Sequence, residues 1–140
     1  MKRINVALIA TVIVSLLILS ACSVSVTTAN YNNINMASEV DEATYEPITI
    51  TDEFTKDTPI IFLTAVLENA PEETMAGAEW YYMDAGDEVF IDSAEVEAMD
   101  STTPLLFSLS SPTEGWPIGE YMVKLFIDRE YDQAVSFFVE

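Results

Sequence analysis

From Pro47 to the C-terminus the chain consists of short apolar runs with a period of two, separated by turn residues. Such a pattern suits strands that bury one face each, and it excludes a helical core. Ile48-Thr49-Ile50-Thr51 alternates, and Pro59 to Leu67 is a longer apolar run closed by Glu68-Asn69-Ala70-Pro71. Met75 to Met83 centres on Glu79-Trp80-Tyr81-Tyr82, and Asp84-Ala85-Gly86-Asp87 reads as a turn into Val89-Phe90-Ile91. Ser93 to Met99 suits either a strand or a short helical turn. Leu105 to Leu109 is bounded by Pro104 and Pro112, and Tyr121 to Ile127 pairs with Gln133 to Val139 around Asp128 to Asp132. About seven strands in roughly 95 residues predict an all-β fold, an antiparallel sandwich in which each sheet covers the other.

Alternation also assigns faces. Ala78, Trp80 and Tyr82 are expected inward, with Leu105, Phe107 and Leu109, then Tyr121, Val123, Leu125 and Ile127, and finally Val135, Phe137 and Val139. Each large side chain buried this way contributes about 1.5–3 kcal/mol. The opposite faces carry Tyr81 and Met83, then Met122, Lys124 and Phe126, then Ser136 and Phe138. If these runs are neighbours, they present an apolar patch with one lysine. Three readings of that patch stand side by side: a partner-binding face, a face covered by the preceding chain, or a register slip that inverts every assignment.

The pattern resembles immunoglobulin-like and fibronectin-like domains. Trp80 lies in the third run, where such domains place a core tryptophan, and Tyr121 opens the sixth, like their tyrosine corner. Phe107-Ser108-Leu109-Ser110-Ser111-Pro112 followed by Gly115-Trp116-Pro117-Ile118-Gly119-Glu120-Tyr121 looks like the turn between the fifth and sixth strands of secreted bacterial modules. The resemblance implies an immunoglobulin-like sandwich over residues 47–140. The cysteine pair of antibody domains is missing, and a shared fold implies no function.

The N-terminus is built differently. Met1-Lys2-Arg3 precedes an apolar run from Ile4 to Leu19, ending in Leu19-Ser20-Ala21-Cys22. A short basic start, an apolar stretch and small residues before a cut site make a secretory signal. The last four residues resemble the bacterial lipobox, which implies removal of residues 1–21 and acylation of Cys22. Two or more acyl chains give a stable anchor. The run is short for a bilayer span, which needs about 20 residues. The expected location is therefore extracytoplasmic, lipid-anchored to the cell membrane. In a Gram-negative organism, Ser23 rather than aspartate after the cysteine implies the outer membrane. Residues 22–46, rich in Ser, Thr, Asn and acids, read as a flexible linker.

Once Lys2 and Arg3 leave with the leader, three cations (Lys56, Lys124 and Arg129) face 24 acids, a balance of −21. Such a surface repels nucleic-acid phosphates and anionic headgroups, so no nucleic-acid partner is expected. A cationic partner, a metal ion or a high-salt habitat suits it. The single cysteine excludes an internal disulfide.

Two acidic turns are secondary candidates for calcium: Asp84, Asp87 and Glu88, and Asp128, Glu130 and Asp132. Neither follows the EF-hand spacing. Trp116, between Gly115 and Pro117, suits a sugar-stacking platform or a plug for the end of the core. The chain has no histidine, four glycines and one cysteine committed to lipid. It therefore offers no His-dependent triad, thiol nucleophile or phosphate loop, and neither catalysis nor a cofactor is expected. The expected role is protein–protein interaction on the cell envelope, with Tyr81, Met83, Met122, Lys124, Phe126 and Phe138 as the candidate face. A spacer domain in an envelope complex and a calcium- or glycan-binding module are the alternatives.

Overall fold

Alternation resolves into nine strands in a computed structural model that describes residues 26–140. The lipobox and Cys22 lie outside the described residues. The strands are β1 (Asn30–Asp41), β2 (Glu46–Ile50), β3 (Glu53–Phe54), β4 (Ile60–Glu68), β5 (Met75–Asp84), β6 (Asp87–Glu97), β7 (Thr103–Ser110), β8 (Gly119–Ile127) and β9 (Glu130–Val139). They form two sheets, ordered β2-β1-β4-β7 and β3-β9-β8-β5-β6. All neighbours are antiparallel except β3, which runs parallel to β9. The described residues contain no helix, and Ser93 to Glu97 belongs to β6.

The largest departure from expectation is β1. Its residues fall in the segment read as linker, yet they pair with β4 from Asn30↔Glu68 to Ala37↔Phe62. Tyr31, Met36 and Ala37 are buried. The pairing shifts register between Asn32 and Asn35, and Asn33 adopts a φ of 49°. A bulge of this kind inserts an unpaired residue and breaks the two-residue period, so the strand reads as irregular chain. The linker assignment to residue 46 is therefore corrected: the sandwich begins at β1, and the second half of β1 forms a hairpin with β2.

The core follows the alternation. Ala78, Trp80, Leu105, Phe107, Leu109, Tyr121, Val123, Leu125, Ile127, Phe137 and Val139 are all buried, and Tyr82 and Val135 pack against them half-buried. Tyr121 stacks on Phe137 with ring centres 5.0 Å apart. Trp80 and Phe54 meet Phe137 edge-on at 6.0 and 5.5 Å. Offset and edge contacts of this kind add about 0.5–1.5 kcal/mol per pair beyond burial. The Tyr121 hydroxyl donates to the Pro117 carbonyl at 2.6 Å, closing the corner before β8. Burial pushes that phenol up to about 12.

Candidate functional site

In the five-stranded sheet β9, β8 and β5 lie side by side, so their outward residues share one face. Register places Ser136, Met122, Tyr81 and Phe90 in one cross-strand row. The next row holds Ala134, Lys124, Glu79 and Ser93, and the one after it Tyr131, Phe126, Gly77 and Glu95. Met83 pairs with Glu88, and Phe138 with Glu120. Five of the expected face residues, Tyr81, Met83, Met122, Lys124 and Phe126, are half-buried, and Phe138 is 44% exposed. No described element covers this face: β1, expected as a possible cover, lies in the opposite sheet.

The cations of the face are neutralised within it, and Arg129 at its border pairs with Glu95 at 3.3 Å. Lys124 Nζ lies 2.6 Å from a Glu88 carboxylate oxygen and 4.8 Å from the centre of the Tyr81 ring. Tyr81 donates its hydroxyl to Glu79 at 2.5 Å, and that bond, with burial second, pushes the phenol up to about 12. Phe90 packs edge-on against Tyr81 at 5.8 Å, and Tyr131 against Phe126 at 6.0 Å. These cross-strand pairs set the face as a fixed aromatic surface. Beside them, the missing side chain of Gly77 opens a depression of about 310 Å³ bordered by Glu79, Ser93, Glu95, Phe126 and Arg129.

Phe90 and Tyr131 belong to the surface but were not on the expected face. Phe90 was readable from the two-residue hairpin, because Asp84↔Asp87 pairing runs without a shift to Tyr81↔Phe90. The bulge lies beyond that pair, between Trp80 and Tyr81, and is invisible in the alternation. The whole of β6 is exposed, and it forms the outer edge of this sheet.

The calcium candidates do not assemble. Among the described residues no group of three or more acidic, histidine or cysteine side chains is arranged to hold a metal. Ala85 and Gly86 make the tight turn between Asp84 and Asp87 with φ of 51° and 91°, and Glu88 is committed to Lys124. Asp128 accepts the Met75 amide at 2.9 Å and shares a positive-φ turn with Arg129, leaving Glu130 and Asp132 on the start of β9. Trp116 is no sugar platform: it is 4% exposed, donates its ring N–H to the Thr58 carbonyl at 2.6 Å, and meets Tyr121 edge-on. It plugs the end of the core.

The chain matches no family model and no curated protein. In fold it is similar to Pseudomonas fluorescens alkylpurine DNA glycosylase AlkC bound to DNA containing an abasic site analog, with a TM-score of 0.50 at 11% identity. The match covers 81% of this chain and 31% of that one, so the chain spans about a third of the glycosylase. At that identity the likeness concerns the two-sheet fold alone.

Proposed function

We propose that this chain is a lipid-anchored, extracytoplasmic module that binds a protein partner through the outer face of β5, β8 and β9. The observation that carries the reading is the uncovered aromatic and methionine surface on an otherwise strongly acidic molecule. Interfaces are enriched in aromatic residues and methionine, which describes Tyr81, Phe90, Met122 and Phe126 of this face. Both cations of the face are already paired within it, Lys124 with Glu88 and Arg129 with Glu95, so neither meets a partner as a lone charge.

The anchoring half of the proposal rests on Leu19-Ser20-Ala21-Cys22. The finer fold reading is an immunoglobulin-like sandwich. It is supported by the β9-β8-β5-β6 order, the parallel β3–β9 switch, the core Trp80 and the Tyr121–Pro117 corner. The acidity that repels phosphates argues against transferring the DNA binding of the glycosylase to this chain.

Capture of partners from native membranes tests the face. Wild-type protein should retain a partner that Phe126→Asp/Phe138→Asp protein loses while its near-ultraviolet circular dichroism stays unchanged. Equal capture by the folded variant rejects the face. Intact-mass analysis tests the anchor, expecting loss of residues 1–21 and an acylated Cys22.

A further inference from the structure

We infer that β6 is a second docking site, which accepts an extended segment of another protein as an added antiparallel or parallel strand. The segment it fits carries Lys or Arg on one face and apolar side chains on the other. Among the described residues β6 pairs only with β5, so its far edge carries unpaired backbone donors and acceptors. All 11 of its residues are exposed, including Phe90 at 56%, Val89 at 47% and Val96 at 39%. A long exposed edge templates pairing with another chain, and charged residues along it, such as the five acids here, select which chain can pair.

Charge selects the occupant. Asp87, Glu88, Asp92, Glu95 and Glu97 punctuate the strand. Register puts Glu88, Phe90, Ser93, Glu95 and Glu97 on the outer side with Tyr81, Glu79 and Gly77. Val89, Asp92, Ala94 and Val96 then point the other way, opposite Tyr82, Trp80, Ala78 and Ala76. A second copy of this chain would lay acids against acids, and like charges directly opposite destabilise a strand pair. Lys124 and Arg129 already pair Glu88 and Glu95 at the surface, so a strand with basic residues neutralises Glu97 and adds a second cation beside the other two, on an edge with five acids in all. Its alternate apolar residues lie beside Val89, Ala94 and Val96, a strip interrupted by Asp92. Backbone bonding gives the affinity and the alternating side chains the specificity. The surface is independent of Phe126 and Phe138, which lie two strands or more away from the free edge.

The test uses full-chain protein in detergent and an eleven-residue peptide alternating valine and lysine, titrated at physiological salt. Binding should come with slowed amide exchange along β6. The same peptide methylated on alternate backbone nitrogens keeps its charge but cannot extend the sheet, and should bind at least about tenfold more weakly. A valine–glutamate peptide should not bind, and a Glu95→Lys/Glu97→Lys variant should lose the valine–lysine peptide. Phe126→Asp/Phe138→Asp protein should bind it as wild type does, so the two surfaces can fail separately. Equal binding of the methylated peptide, no binding of the parent peptide, or self-association through β6 in sedimentation overturns the inference.

Discussion

The Tyr31 hydroxyl donates to the Phe126 carbonyl at 2.7 Å, bonding β1 of one sheet to β8 of the other across 95 positions of sequence. Burial raises the Tyr31 phenol far above its usual range. A Tyr31→Phe substitution removes one inter-sheet bond and should cost about 1 kcal/mol, read as a lower urea midpoint at unchanged slope.

The same burial gives alkaline unfolding a sign. Tyr31 and Tyr121 both have folded pKa values above their unfolded one. The stability they contribute is intact below the ordinary phenol value near 10 and is lost as pH climbs past it. A stability curve measured across pH 9 to about 12 should fall, and the Tyr31→Phe/Tyr121→Phe protein should fall less steeply. Parallel curves would exclude both phenols as the titrating groups.

Legibility in the sequence followed local regularity. Where strands are unbroken, as in β7, β8 and most of β9, alternation named the buried residues, including Leu105, Phe107, Val123, Leu125 and Phe137. It also placed Tyr81, Met122 and Phe126 on a common outer face, which the β5–β8 register confirms. It failed at β1, where the bulge at Asn33 separates Tyr31 from Met36 by an odd number of residues, although both are buried. It failed at β3, because two residues hold no period. Trp116 was ambiguous, because burial of a turn tryptophan depends on the distant Thr58 carbonyl.

Adjacent phenylalanines on β9 should behave oppositely. Phe137 is fully buried among Trp80, Tyr121 and Phe54, whereas Phe138 is 44% exposed. Phe137→Ala should cost about 3–5 kcal/mol and threaten folding, whereas Phe138→Ala should stay within about 0.5 kcal/mol of wild type. Thermal melts of the two variants decide this, and similar losses for both would place the register in error.

Gly115 is held where no other residue fits. Its φ is 84°, and an added Cβ would lie 2.8 Å from the Lys56 carbonyl oxygen, which already accepts the Trp116 amide. Gly115→Ala should therefore cost about 1–3 kcal/mol and increase Trp116 fluorescence quenching by acrylamide as the plug loosens. An unchanged melt and unchanged quenching would show that the turn adapts freely.

The early start of the sandwich changes how an anchored molecule would stand on its bilayer. Thr28 is already fastened to the Asn69 carbonyl at 2.8 Å, and Ala29 is buried. From an acylated Cys22 to Thr28 the chain reaches at most roughly 20 Å when fully stretched. The leash is therefore short, and the end of the sandwich carrying Glu72, Glu73, Glu97, Asp100 and Asp128 would be the one turned toward the lipid. Anionic headgroups repel that end, so the leash would be drawn taut. Both β6 and the aromatic face would then rise along the membrane normal, where a neighbour embedded in the same bilayer meets them side-on.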